Sequence, residues 1–333
     1  MKRRRGFFLA VSFALSGLLI FVLIKVGKIH LGVTLAHLRN VSASAFALLV
    51  ALTALHIYLS SVKWRKIDIF LRSGSDSAPS AFASFAFTSV GVVCGQILPV
   101  QISMSAARTL GTYFYGSALK RGTAGSLFEQ SFDVWIMGFL AVASGVTWLA
   151  GGGAVVYLIS AFVMTAVAIF AVGPIIQVAH WVVRSTARSR WAQRRIVRRI
   201  GELERSGFLH AGLGRQLMLL SAMRFAVQIW MLNEVTVAVG AHIPVWQVAA
   251  ATPLATLAYA LALTPGGIGV TELGYAFALN LFGTRVPVAA QWALEARILV
   301  FGSCLLAAGI GVIVLVIERV MRQRVARDRG GVI

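Results

Sequence analysis

Leu263-Thr264-Pro265-Gly266-Gly267-Ile268-Gly269-Val270-Thr271-Glu272 breaks an apolar run with one proline and three glycines and ends on a carboxylate. Proline lacks the backbone donor a helix needs and glycine weakens a helix interior, so a helix that enters this stretch stops in it. The residues around the break are apolar, roughly Val245 to Leu263 before it and Ile268 to Phe282 after it. Further back, Leu98-Pro99 interrupts the apolar run between Ala81 and Lys120 in the same way. Each arm falls somewhat short of the ~20 residues that cross a ~30 Å hydrocarbon core. The sequence therefore predicts two Pro/Gly-broken hairpins, over 80–120 and 245–283.

The remaining composition belongs to a membrane protein. The 333 residues are 58% hydrophobic and 13% charged, with a mean hydropathy of +0.82, too apolar for a soluble globule to solvate. A net charge of +20 would ordinarily suggest nucleic acid, but the basic residues lie in short clusters between apolar runs and no aqueous domain carries a basic face. No nucleic-acid partner is expected. Cys94 and Cys304 both sit in apolar segments, so neither a disulfide framework nor a metal cluster is indicated, and no cofactor is expected.

Other apolar segments run from Phe7 to Ile24, Val41 to Val62, Ser126 to Leu149, Ala154 to Val178, Leu217 to Val239 and Trp292 to Ile317. The first follows Lys2 and Arg3 to Arg5 and has no small-residue cleavage site, so it is read as a retained helix. Basic loops stay on the cytoplasmic side. Arg3 to Arg5, Lys63 with Arg65 and Lys66, Lys120 with Arg121, Arg184 to Arg199, and Arg319 to Arg329 can all be cytoplasmic. That requires the first hairpin to enter and leave on the inner face and the second on the outer. The fold expected is an all-α integral membrane bundle of about eight segments, with the two hairpins re-entrant in an inverted-repeat arrangement. Ordinary helical hairpins with surface turns are the alternative. The whole chain reads as one transmembrane domain: a first half over 1–180, a basic cytoplasmic segment over 181–215, a second half over 216–320 and a basic tail over 319–333. Both termini are expected in the cytoplasm of a bacterial inner membrane. Trp64, Trp181, Trp246 and Trp292, near span ends, read as interfacial anchors.

A charge within an apolar segment costs at least ~2.5 kcal/mol at a helix centre, so it normally faces a cavity or a partner. Arg108, Glu129, Asp133, Arg224, Glu234, Glu272, Glu295 and Arg297 are such residues. Glu129 and Asp133, four apart, share one helix face. They fit a proton- or cation-handling site, or a structural ion pair with Arg108. Glu272 opens the helix after the glycines, where it can cap the positive helix end. The same helix start can instead offer the amides of Gly266, Gly267 and Gly269 to a phosphate. The basic stretch Arg184 to Arg199, interleaved with Trp181, Trp191 and Ile196, suits the surface of the cytoplasmic leaflet.

With these residues in hand, the Leu263 to Glu272 stretch resembles the C-terminal signature of the lysylphosphatidylglycerol synthase transmembrane family, also described as flippase-like. Leu98-Pro99, Arg108 and Ser126 to Asp133 resemble the family's first hairpin and the acidic helix that follows. Two positions depart from it: Val100 to Ser105 replaces a Gly-rich segment ending in Glu, and Gln130 stands where a basic residue is common. The chain is read as a stand-alone membrane domain without the soluble aminoacyl-transferase domain.

The resemblance implies lipid partners and movement of an anionic, aminoacylated or polyprenyl-phosphate-linked headgroup across the membrane. In that reading Arg108 and the amides of Gly266, Gly267 and Gly269, behind Pro265, receive phosphate. Glu129, Asp133 and Glu272 receive a cationic group or a coupling proton. The chain is not expected to be an enzyme. A transferase would need clustered aspartates for Mg²⁺-pyrophosphate, and Asp68, Asp76, Asp133 and Asp328 are scattered. A non-catalytic scaffold for a lipid-modifying enzyme partner is the other reading.

Overall fold

The computed structural model describes residues 2–71, 78–116, 118–187, 211–260 and 264–328, and every regular element among them is helical. The long helices are α1 (Lys2–Val26), α3 (Ala43–Leu71), α6 (Leu119–Leu149), α7 (Ala154–Ala187), α8 (Ala211–Ala238) and α11 (Val286–Asp328). Between α1 and α3 a short α2 (Leu31–Arg39) turns away from α1 by 92°. Two hairpins complete the set: α4 (Ala81–Gly95) with α5 (Val100–Phe114), and α9 (Val245–Ala260) with α10 (Val270–Leu281). Among the described residues α3, α6, the first 22 residues of α7, and α11 through Met321 are each long and apolar enough to cross a bilayer, and α1 with α2 can form a fifth span. Among the described residues, six long helices and two hairpins stand against the roughly eight segments expected, in a multi-pass membrane protein.

The hairpin arms differ in kind from the long helices. They hold 15, 15, 16 and 12 residues, about 18–24 Å at 1.5 Å per residue, less than a ~30 Å hydrocarbon core. α4 begins where the Ser80 side chain accepts the Ala83 amide at 3.0 Å, a conventional N-cap. It ends four residues before Pro99. The second hairpin turns through Pro265–Gly267, with Gly266 at φ 57° and Gly269 at φ 85°, conformations that favour glycine.

Each hairpin packs between the same two long helices. α6 lies against α5 and α9, and α11 lies against α4 and α10, while α3 pairs with α8 and closes the far side. The α6–α9 contact shows how irregular backbone is accommodated in lipid. Pro253 inside α9 cannot donate to the carbonyl of Ala249. The Tyr157 hydroxyl of α7 donates to that carbonyl instead, at 2.8 Å, and Ser144 of α6 donates to the next one, Ala250, also at 2.8 Å. Without Tyr157 the freed Ala249 carbonyl would be an unsatisfied polar group in hydrocarbon. Ala249, Ala250, Ala251 and Ala255 are buried there, small enough for the helices to approach closely. Large side chains such as Leu158, Phe162 and Phe170 of α7 point outward, where lipid would cover them.

Two tryptophans depart from the expected anchoring role. Trp64 and Trp292 are fully buried. Trp64 lies under the Arg108 guanidinium, 5.8 Å from its ring centre, and Trp292 donates its indole N–H to Thr236 at 2.9 Å. Arg188 to Arg199, most of the basic amphipathic stretch, lie outside the described residues.

Candidate functional site

The tips of the two hairpins meet. Gly266 packs so closely on the carbonyl of Gln96 that a methyl group in place of its hydrogen would overlap it. Tyr259, near the end of α9, donates to the carbonyl of Gly95 at 3.1 Å. From α11, Arg297 reaches both tips, donating through Nη2 to Gly266 O at 2.7 Å and to Gln96 O at 3.2 Å. A cavity of about 280 Å³ lies beside this contact, with His56, Asp133 and Arg224 at one end and Gln96, Glu272 and Arg297 at the other.

At the first end, a buried ion network ties α3, α5, α6 and α8 together. Glu129 and Asp133 do lie on one face of α6, and Lys63 of α3 reaches both. Its Nζ is 2.9 Å from Glu129 Oε1, pairs closely with Asp133 Oδ1, and donates to Ser221 at 2.8 Å. Arg108 of α5 pairs with Glu129 Oε2 at 2.5 Å and donates to Ser60 at 2.7 Å. Arg224 of α8 pairs with Asp133 Oδ2 through Nη1 and donates through Nε to His56 Nε2 at 3.0 Å. A guanidinium has no acceptor to offer. His56 Nε2 is therefore the acceptor, which leaves the ring proton on Nδ1, directed at the Arg224 carbonyl 3.3 Å away. Lys63, Arg108 and Arg224 carry three positive charges against two on Glu129 and Asp133, an excess of one cation.

Lys63 corrects the sequence reading. Grouped there with Arg65 and Lys66 as a cytoplasmic loop charge, it has a side chain 0% exposed, because α3 continues through it to Leu71. Arg108 takes the ion-pair alternative rather than the cavity wall. Its side chain is 0% exposed, held by Glu129 and Ser60, and does not line the cavity. The guanidiniums that do face the cavity are Arg224 and Arg297, with side chains 22% and 21% exposed.

At the other end, Glu272 takes the capping role. Its Oε2 accepts the Gly269 amide at 2.7 Å, at the N-terminus of α10. The Gly267 amide donates to Thr264 O at 3.0 Å and the Ile268 amide to Pro265 O at 3.1 Å. Of the three amides expected to receive phosphate, those of Gly267 and Gly269 are thus occupied within the turn, as is that of Ile268, and the loop is shaped around its own carboxylate. Glu272 Oε1 faces the Nε of Arg297 at 3.5 Å, a looser pair than those in the first cluster. Glu295 lies apart, accepting from Gln291 at 3.0 Å and paired with His37 at 2.9 Å, and Glu234 accepts from the Trp230 indole at 3.0 Å.

A comparison with curated proteins finds no match to this chain. The broken hairpins, the acidic helix α6 and the capped Pro-Gly-Gly turn fall within residues 9–309, which match the lysylphosphatidylglycerol synthase TM region, and the chain belongs to that family of membrane proteins related to lipid modification or transport.

Proposed function

We propose that the chain is a lipid translocase of the bacterial inner membrane, with both termini cytoplasmic, in which a phosphate-bearing headgroup passes through the cavity while its tails stay in lipid. The observation that carries this reading is the meeting of two short-armed hairpins beside a partly open cavity whose ion network holds one cation in excess. Each hairpin is too short to cross, so the first entering from the inner face and the second from the outer would meet near mid-bilayer. The cavity volume lies near the lower end of the roughly 300–1,000 Å³ usual for small-molecule sites, room for a headgroup and not for acyl chains.

An excess cation inside the bilayer is costly unless an anion joins it. The headgroup phosphate supplies that anion, facing Arg224 and Arg297, the two guanidiniums open to the cavity. Glu272 Oε1 faces any ammonium or aminoacyl group the headgroup carries. Arg108 and Lys63 act one step back by fixing Glu129 and Asp133, which in turn orient Arg224.

The test is headgroup movement in proteoliposomes, comparing phosphatidylglycerol, an aminoacylated phospholipid and a polyprenyl-phosphate sugar. Wild type should move one class, Arg224→Gln should move it at least tenfold more slowly, and Glu272→Gln should slow a cationic headgroup more than an anionic one. If folded wild type moves no lipid, the translocase reading fails and a scaffold role takes its place.

A further inference from the structure

Arg297 is the only charged side chain among the described residues seen to bond the backbone of both hairpin tips. Its two Nη2 acceptors, Gly266 O and Gln96 O, are neutral carbonyls, and its carboxylate neighbour Glu272 stands 3.5 Å from Nε, beyond the 2.7–2.9 Å of a tight charge-assisted bond. The same side chain lines the cavity. An anionic oxygen in that cavity would compete for the guanidinium with bonds about twice as strong as those to neutral carbonyls. One displacement would free both tips, because one nitrogen holds both. Among the described residues, the only other hydrogen bond between the tips is the uncharged one from Tyr259 to Gly95 O.

We infer that Arg297 is a latch: an anionic oxygen ligand of the phosphate class, bound in the cavity, draws its guanidinium off the two tip carbonyls and lets the hairpins part. This rests on the translocase reading and adds to it the residue that makes opening depend on occupancy. It makes Arg297 a positioning residue, acting through the tips as well as on the ligand. An empty cavity stays closed, and the barrier to leakage is lowered only when an anion is present.

Hydrogen–deuterium exchange at residues 96–98 and 267–269 reads the latch through the stability of the tip turns: the amides of Gln96, Ile97, Leu98, Gly267, Ile268 and Gly269 are each bonded within their own hairpin, and a turn that loses the guanidinium on its carbonyl opens more often. The purified full chain is compared in nanodiscs of digalactosyl diacylglycerol, a lipid without phosphate, in the same nanodiscs containing phosphatidylglycerol, and in digalactosyl diacylglycerol with inorganic phosphate in the buffer. Wild type should exchange slowly in digalactosyl diacylglycerol, and both segments should accelerate together by on the order of tenfold with phosphatidylglycerol, as expected for losing one hydrogen bond to a charged group. Acceleration by inorganic phosphate as well would show that the latch reads the anion without its lipid; acceleration by phosphatidylglycerol alone would show that the lipid must deliver it. Arg297→Gln should exchange fast in every condition. Tyr259→Phe should raise the basal rate slightly and keep the anion response, and it decides the matter with wild type if Arg297→Gln does not fold. Tips that stay equally protected in all three conditions, or that respond one without the other, overturn the latch. Lipid movement followed in the same nanodisc lipids after reconstitution into vesicles separates the two readings: tips that open while no lipid moves defeat the translocase alone, and lipid that moves past protected tips defeats the latch alone.

Discussion

Lys63 holds two carboxylates at once, so its removal should be felt more than that of any surface cation. Replacing it with Met leaves Arg108 and Arg224 against Glu129 and Asp133, two charges of each sign, but removes the donor that the two carboxylates share, at about 1.5–3 kcal/mol for each charge-assisted bond lost. The expected outcome is a clear fall in the unfolding midpoint of the purified protein in nanodiscs. Asp133→Asn should cost less in the Lys63→Met background than in wild type, since the two residues share one network; equal costs in the two backgrounds would contradict the pairing. The sequence hid this role because Lys63 stands beside Arg65 and Lys66 and reads as one of a basic group. A helical period shows it: His56, Ser60, Lys63 and Ile67 recur at spacings of three and four along one face of α3, and all four turn inward toward the bundle. Glu129 and Asp133 were legible from their spacing alone, and so was Arg108 as a partner. Which cation faces open space was not, because exposure inside a bundle depends on helices far apart in sequence.

At the scale of the element, the hairpins were readable from Pro99 and Pro265, since a proline or glycine that stops a helix leaves a mark in any sequence. The second proline-dependent feature was not. Pro253 lies inside α9, and its freed carbonyl at Ala249 is answered by Tyr157, 92 residues away along the chain. Tyr157→Phe should therefore leave a buried acceptor unpaired and destabilise the protein by about 1–3 kcal/mol. In a Pro253→Ala background, where the helix can bond its own carbonyl, the same change should cost much less. Chemical unfolding of the four proteins closes this cycle, and an undiminished cost in the Pro253→Ala background would show that Tyr157 acts by packing alone. The meeting of the tips was likewise invisible in sequence, because it joins main-chain atoms of Gln96 and Gly266 and leaves no side-chain signature except the missing Cβ at position 266.

At the scale of the whole molecule, basic clusters predict a sidedness in which Lys120 and Arg121 at the start of α6 face the cytoplasm and the turn at Gly151–Gly153 before α7 faces outward, an expectation that labelling tests. In a chain with Cys94 replaced by Ser, Gly153→Cys should react with a membrane-impermeant maleimide on intact cells, and Lys120→Cys only after the cells are opened. Both residues are exposed in the fold, so a reversed pattern would invert the assigned orientation. The family signature was legible over almost the entire chain, because its marks are turn residues and charges, which local chemistry fixes. The pairing of each hairpin with both α6 and α11 was not, because it is set by long-range packing.

The uncompensated cation in the α3–α5–α6–α8 network has an electrical consequence. A charge within the hydrocarbon core feels the membrane voltage, worth about 2.3 kcal/mol per elementary charge for a full crossing at 100 mV. In the proposed translocation cycle the network stays with its helices while a monoanionic headgroup moves past it, so net movement of that headgroup carries one charge and should follow the voltage, whereas one-for-one exchange carries none. Exchange of labelled for unlabelled lipid should then run at the same rate across a potassium-diffusion potential of either sign, while net one-way flux changes with it.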